Sequence, residues 1–550
     1  MSSPNHLKRE SAGSSAIPHV VALGSGYATF YAYRELAGWI RRKRVRMTVI
    51  DRNNYHCFHG LVPEMLAGKL QPGTILSSSR RLFKHAQFCN GEIKDIDLER
   101  RTVTFSRKLD GKEFSVNYDH LIVGVGSSED LKRFPGIAEH TLRLKAFPDI
   151  LQVRHHLITM LELAEIETDA GELERLLNFV VVGANYAGVE VAGELAEFLP
   201  NLARSRFSNI PADQIRITVI HSGERILPEL GSHFPKLQAY AERVITDSPH
   251  LRLKTGIRLA SATPEEAVLD NGERIPTRTI ISCTGTAPAP VLEFFPAERD
   301  RLGRVVTDEF LRMKGVPNVW AAGDCAAVPH PQGGTCPPLA IWAMTAGRQL
   351  AKNLKATLSG RSLQAYRFTG LGDACTLGHH RAAAQLKGVP IRGLLGYLAW
   401  RFFMIRYLPA VEKKCRLVLD WLLLPVFGRD LINMNVHRPV LVTPVMHEPR
   451  QEIIREGDVG QSLFIIRSGE VEVLKQRPDG SGPEVVATLK AGDHFGEVAV
   501  FRGIRRTATV RARTRVELLH VQREAALALS ESSHEIARTF STRIENNSQA

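Results

Sequence analysis

A chain of 550 residues with 44% hydrophobic content can bury several cores, which excludes a disordered or fibrous protein. Its 71 Lys and Arg against 58 Asp and Glu leave +13, a balance that favours an anionic partner: a phospholipid surface, a nucleic acid or nucleotides. The seven cysteines, Cys57, Cys89, Cys283, Cys325, Cys336, Cys375 and Cys415, are scattered and never spaced as CxxC, which argues for a reducing compartment and against a disulfide framework or a zinc site, so no metal is expected.

Residues 1–16 are polar and Ser-rich, and read as a disordered tail rather than a signal peptide. No run of eighteen uncharged apolar residues follows, so a spanning helix is not expected and the chain reads as cytoplasmic. His19–Ala28 is an apolar strand running into a turn that carries Gly24 and Gly26, then a helix. Phe179–Gly188 repeats the pattern, with Gly183 and Gly188. Such a turn aims free backbone N–H groups and a positive helix end at a pyrophosphate, so two copies imply two dinucleotides. In the first copy the third glycine position holds Thr29, and the next strand, Arg46–Ile50, ends at Asp51, a carboxylate suited to an adenosine ribose. Further strands run into the turn at Gly126 and into Gly323 and Asp324, where a carboxylate could meet a flavin's ribityl and pyrophosphate.

From about Pro18 to Arg429 the chain resembles the type II NADH dehydrogenase family of flavoproteins. The likeness rests on Asp51-Arg52-Asn53-Asn54-Tyr55-His56, Pro63-Glu64, Gly188-Val189-Glu190, Gly193-Glu194-Leu195-Ala196-Glu197, Arg225-Ile226-Leu227-Pro228 and Ala322-Gly323-Asp324-Cys325-Ala326. It implies an α/β fold of two Rossmann-like domains, a nicotinamide domain (143–286) inserted in a FAD domain (17–142 and 287–370). It also implies FAD held by Gly24, Gly26, Asp51, Arg52, Gly126, Gly323 and Asp324. NADH would be held by Gly183, Gly188 and Gly285, with Glu190 at the catalytic centre and electrons passing to a membrane quinone. A homodimer is expected.

Departures from the family fall on the substrate sites. Asn185 replaces the middle glycine of the second turn, and His221 replaces the acidic residue that favours NAD over NADP. NADPH is therefore admitted beside NADH, with Arg225 or Arg243 as a phosphate partner. Ile341 and Ala346 stand where the family's quinone pocket carries glutamines, so another acceptor can replace quinone; Trp342 between them is either a stacking donor or a core aromatic.

Residues 371–434 alternate apolar bursts with Arg392, Arg401, Arg406, Lys413, Lys414 and Arg416, a pattern suited to amphipathic helices in a bilayer interface on the inner face of the cell membrane, or to a hairpin covering the FAD domain. Residues 435–447 read as a linker because two prolines oppose helix. Residues 448–550 show short alternating strands between glycine turns, a small β-barrel or jelly roll. This module resembles the cyclic-nucleotide-binding domain family through Phe495-Gly496-Glu497-Val498-Ala499-Val500 and Arg506-Thr507-Ala508. The resemblance assigns Glu497 to a ribose 2′-hydroxyl, Arg506 to the cyclic phosphate, Gly496 and Ala508 to backbone N–H groups and Thr507 to a hydroxyl, for cAMP or cGMP. A nucleic-acid partner is not expected, since the residues from Glu524 on offer one helix and a polar end rather than a recognition helix. Two functions remain: a FAD-dependent NAD(P)H oxidoreductase regulated by cyclic nucleotide, or a catalytically weak flavoprotein sensor whose main activity is cyclic nucleotide binding.

Overall fold

The computed structural model describes residues 5–6, 17–107, 111–129, 136–429, 442–458, 460, 462–477, 482–502, 504–523 and 525–526. The expected helix after Glu524 and most of the expected N-terminal tail lie outside them; Asn5–His6 pair in parallel with Phe114–Ser115. The chain forms two compact units, 1–435 and 436–550.

In the first unit the buried strands His19–Leu23, Arg46–Asp51, Gln87–Asn90, His120–Val123 and Val319–Ala321 form one all-parallel sheet. His19–Leu23 lies between Arg46–Asp51 and His120–Val123. A second parallel sheet joins Leu142–Arg143, Thr279–Ser282, Asn178–Val182, Arg216–Ile220 and Leu251–Lys254 in that order. Strands buried on both faces need continuous apolar runs, which both central strands have. The second sheet is inserted in the first through an antiparallel ribbon, Ser127–Glu129 against Thr286–Pro288. The ribbon strands lie at 127–129 and 286–288, against the expectation of an insert spanning 143–286.

Residues 371–434 contain more than helices. Gly372–Thr376, Ala382–Leu386 and Val389–Arg392 make an antiparallel meander before the helices Gly393–Tyr407 and Val411–Phe427. The meander presses on the helix Tyr186–Arg206: a Cβ on Gly378 would stand 2.3 Å from the Gly193 carbonyl oxygen, so neither position tolerates a side chain. No helix among the described residues is long and apolar enough to cross a membrane.

The second unit packs two four-stranded antiparallel sheets. One orders Val442–His447, Val516–Gln522, Ser462–Ser468 and His494–Phe495; the other orders Glu452–Ile454, Thr509–Ala512, Glu470–Gln476 and Pro483–Lys490. Phe464, Ile466, Val471, Phe495, Val510 and Leu518 fill the space between them, as a jelly roll requires. The expected linker 435–447 therefore ends inside the barrel: Val442–His447 is an edge strand, where Pro444 is tolerated because an edge leaves N–H groups unused.

Candidate functional site

The first glycine turn brings the carboxyl ends of four strands together. Gly24 has φ +85°, and a Cβ on it would stand 2.6 Å from the Gly124 carbonyl oxygen, so the position requires glycine. Gly124 in turn makes room for Thr29, since a Cβ there would stand 2.5 Å from Thr29 Oγ1. Asp51 Oδ2 accepts from the Ser25 N–H at 2.6 Å and from Ser25 Oγ at 2.8 Å, and Oδ1 accepts from the Asn53 N–H at 2.7 Å. The carboxylate is thus fixed beside the turn, with Arg52 exposed after it. On the other side Gly323, at φ +87°, lies between the helix starts: its Cβ would stand 3.5 Å from that of Ala28 and 3.4 Å from that of Ala343. Asp324 Oδ2 accepts from Ser127 Oγ at 3.3 Å, next to the turn at Gly126, and Lys145 Nζ donates to Ser127 Oγ at 2.7 Å. His59 Nε2 lies 3.0 Å from the Lys145 carbonyl oxygen. Desolvation by the surrounding protein lowers the pKa of this imidazole, against the carbonyl contact and Asp324, which raise it. Neither His59 nor Lys145 was expected. A crevice outside the strand ends of a parallel sheet, walled by glycines, suits a dinucleotide.

The second turn keeps its shape but spends its own donors. Gly183 has φ +103°, and a Cβ on Gly188 would stand 1.8 Å from the Gly183 carbonyl oxygen. Asn185 caps the helix: its Oδ1 accepts from the Gly188 N–H at 3.0 Å and its Nδ2 donates to the Cys283 carbonyl at 2.9 Å. His221 folds back so that Nδ1 accepts from the Ala184 N–H at 3.3 Å. Arg225, expected as a phosphate partner, donates to both carboxylate oxygens of Glu242 at 3.0 and 2.7 Å. That engagement removes it from the role. Instead a cavity of about 680 Å³ opens over the turn, lined by Gly183, His221, Ser222, Gly285, Arg258 and Arg301 among others. Neither Arg258 nor Arg301 is in an ion pair among the described residues.

The same unit holds a buried carboxylate cluster of which the sequence singles out only Glu190 for a role, while Glu64, Glu194 and Glu197 enter it within the family-like stretches. Glu190 Oε1 accepts from the Thr376 N–H at 3.2 Å, and burial pushes its pKa up to about 8. Lys69 is 2.7 Å from Glu194 Oε2 and 3.3 Å from Glu197 Oε2. Burial would raise the Glu197 pKa, but Lys69, the His379 N–H and Arg429 together hold it at about 2. Glu64 accepts from Trp421 Nε1 at 2.7 Å and from Tyr397 OH at 3.3 Å, which ties both hairpin helices to the helix Val62–Leu66. Burial and the Glu194 charge push the Glu64 pKa up.

The hairpin's inner face buries Tyr397, Trp400, Leu417 and Trp421. Its outer face leaves Leu395 70%, Phe402 65%, Val426 74% and Phe427 75% exposed, which a surface meant for water alone does not do. Trp342 is a core aromatic, packed on His330 at 5.1 Å and Phe368 at 4.9 Å between ring centres. Ala346 is buried beside it, and Ile341 is half-buried.

In the barrel, Arg506 is buried against backbone: Nη1 donates to the Gly496 carbonyl at 2.9 Å and Nη2 to the Ser462 carbonyl at 2.8 Å. Gly496, at φ +86°, and Gly460 leave the space this guanidinium fills, since a Cβ on either would come within 2.7 and 3.1 Å of it. Burial lowers the Arg506 pKa, while the charges of Asp458 and Glu497 raise it. Glu497 is buried at the start of the short helix Glu497–Arg502, and Thr507 and Ala508 follow Arg506 toward solvent. Of the five expected residues, Arg506 and Gly496 are in direct contact, with Glu497, Thr507 and Ala508 as their chain neighbours.

Residues 18–347 match the family model described as pyridine nucleotide-disulphide oxidoreductase, and residues 444–533 match the one described as cyclic nucleotide-binding domain. The chain is 29% identical over 416 residues to the type II NADH:quinone oxidoreductase NdhA of Mycobacterium tuberculosis, covering 73% of this chain and 86% of that one. It is 27% identical over 445 residues to the internal alternative NAD(P)H-ubiquinone oxidoreductase A1 of Arabidopsis thaliana, covering 75% and 85%. Among solved structures, NDH2 of Plasmodium falciparum in complex with NADH shares the fold with a TM-score of 0.69 at 18% identity, over 76% of this chain and all of that one. With two glycine turns on two parallel sheets and a separate jelly roll, the chain is an oxidoreductase of the pyridine nucleotide-disulphide oxidoreductase family, similar to type II NADH dehydrogenases and carrying a cyclic nucleotide-binding domain at 444–533.

Proposed function

We propose that the protein is a FAD-dependent NAD(P)H dehydrogenase, peripheral on the inner face of the cell membrane as a homodimer, passing electrons to a quinone or another acceptor under cyclic nucleotide control. The observation that carries the reading is the crevice where Gly24, Asp51, Gly126 and Asp324 meet at the strand ends of one sheet. The residues fit FAD: the Gly24 and Gly26 turn receives the pyrophosphate, Asp51 the ribose, with Arg52 beside it, and Gly323 and Asp324 the ribityl side. FAD, when bound, supplies the hydride-accepting chemistry. Gly183, Gly188 and Gly285 admit a dinucleotide in the second crevice. His221 presents no carboxylate to a ribose, so a 2′-phosphate is not repelled there, and Arg258 and Arg301 on the cavity wall supply the charge that Arg225 cannot. Glu190, protonated below about pH 8, holds a proton in the core. In the barrel, Arg506 meets the cyclic phosphate of cAMP or cGMP, Glu497 the 2′-hydroxyl, and Gly496, Thr507 and Ala508 complete the shell.

The sensor reading gains support from one feature of the second turn. Asn185 and His221 engage the Gly188 and Ala184 N–H groups that a pyrophosphate would use. Anaerobic stopped-flow of the purified protein separates the two. The enzyme reading expects a yellow protein with one FAD per chain whose flavin absorbance bleaches with NADH and NADPH at rates within about tenfold of each other, a difference under about 1.4 kcal/mol. Failure of both to bleach a flavin-loaded protein overturns it in favour of the sensor; a strong NADH preference overturns the part assigned to His221.

A further inference from the structure

Four cations converge at the corner of the hairpin, from four different helices. Arg34 lies 5.2 Å from the centre of the Tyr31 ring and Arg348 5.6 Å from the same ring, on the helices Tyr27–Arg41 and Ala340–Leu358. Arg406, near the end of Gly393–Tyr407, lies 5.6 Å from the Tyr407 ring, and Lys414, in the first turn of Val411–Phe427, donates to the Arg406 carbonyl at 3.1 Å. The charges of Arg34, Arg348 and Arg406 reach the Tyr31 hydroxyl, and those of Arg406 and Arg34 reach Lys414. None of the four cations is in an ion pair among the described residues, and nearby acids are already engaged: Glu35 by Lys355, Glu412 by Arg81, Asp420 by the Thr74 hydroxyl. Like charges gathered without a counter-charge repel one another, and an anion placed among them relieves the repulsion.

The hairpin says where that anion comes from. Counting back from Arg406 by helical steps reaches Phe402, Leu398 and Leu395 on the same face; from Lys414 the steps reach Val411, Val418 and Leu422. All six apolar side chains are exposed. The cations therefore sit where two apolar stripes meet, the arrangement of an interfacial helix pair whose stripes enter the acyl boundary and whose charges stay at headgroup level.

We propose that Arg34, Arg348, Arg406 and Lys414 form a clamp for the phosphate of an anionic phospholipid headgroup. The inference rests on the membrane-surface part of the proposed function and adds a defined site to it. Half of the clamp belongs to the flavin-domain helices, so lipid binding there holds the FAD domain itself against the bilayer.

The test is vesicle co-sedimentation of the full chain on phosphatidylcholine alone and on phosphatidylcholine with 30 mol% phosphatidylglycerol, where that figure is a chosen composition of about one charge in three lipids. Wild type is compared with Arg34→Gln/Arg348→Gln, which leaves the hairpin sequence intact, and with the charge-matched control Lys236→Gln/Lys314→Gln at exposed positions. At about 1 kcal/mol per basic group, the clamp variant should lose about tenfold to thirtyfold in affinity for anionic vesicles, and the control under about threefold. Equal losses in both variants would reduce the effect to net charge and overturn the clamp. Wild type that binds neutral and anionic vesicles alike overturns it too, and wild type that binds neither overturns the membrane reading as well. Thermal scans with inorganic phosphate close the test: stabilisation of wild type but not of the clamp variant, with vesicle binding unchanged, would assign the site to a free anion instead of a lipid.

Discussion

Glu190 illustrates how a single buried carboxylate sets a pH dependence. Its proton is held to about pH 8 because burial disfavours the charge, and no cation pairs with it among the described residues. Between the ordinary carboxylate range and about pH 8 the folded chain thus binds more protons than the unfolded one, so this residue's contribution to stability is complete at low pH and is lost as pH rises through that window. Glu190→Gln should flatten the decline: unfolding of the flavin unit, followed by flavin fluorescence from pH 5 to 8.5 in roughly half-unit steps, should show a slope shallower than that of wild type by up to about 1.4 kcal/mol for each pH unit. An unchanged slope would mean that Glu190 is already ionised at neutral pH. Arg506 gives a second prediction at this scale. Its guanidinium holds the Gly496 and Ser462 carbonyls and is proposed to meet the cyclic phosphate, so Arg506→Ala should abolish calorimetric cAMP and cGMP binding and loosen the barrel. Arg506→Lys keeps a charge without the fork and should recover folding but not tight binding. Of these two residues the second is legible from its motif alone, since Phe495–Val500 and Arg506–Ala508 flank one turn of chain. The partners of Glu190 are not legible, because Thr376 lies 186 positions away on another element.

At the scale of elements, the glycine turns are readable because strand, turn and helix follow one another locally, each with its own residue signature. What the turns contact is not. The fold of His221 back onto the Ala184 N–H and the capture of Arg225 by Glu242 depend on how neighbouring segments approach, and so the expected phosphate partner is misplaced. The burial of Lys69, Glu194 and Glu64 is not legible, because nothing local in a sequence marks a charge as buried. Pro444 signals a break in regular structure when read locally, whereas an edge strand accommodates it. The hairpin admits a direct test of its inner latch. Trp421→Phe keeps the aromatic body and deletes the N–H donated to Glu64, leaving a buried carboxylate short of one partner. The expected cost is about 1–3 kcal/mol, read as faster hydrogen exchange across Val411–Phe427. If exchange there is unchanged, the helices are held by apolar contact alone.

At the scale of the whole molecule, a redox unit and a nucleotide-binding barrel share one chain, and linkage fixes what their coupling must look like. If cAMP or cGMP changes nicotinamide or vesicle affinity by some factor, then nicotinamide or vesicles must change cyclic nucleotide affinity by the same factor. Titrating cyclic nucleotide with and without anionic vesicles should show a shift of about fivefold to 150-fold in wild type, and added cyclic nucleotide should leave the vesicle affinity of Arg506→Ala unchanged. Equal affinities in both conditions would make the barrel a passenger.

The ribbon that pairs Ser127–Glu129 with Thr286–Pro288 has a practical meaning for this architecture. Both ends of the inserted segment that carries the second parallel sheet leave the first side by side, so the insert is a loop excursion with a closed neck. A module whose ends adjoin can be exchanged without rerouting the rest of the chain. Replacing the stretch between the two ribbon strands with its counterpart from a relative would therefore transplant coenzyme choice while leaving the flavin crevice, the hairpin and the barrel in their native sequence, a graft that turns dinucleotide preference into an interchangeable part.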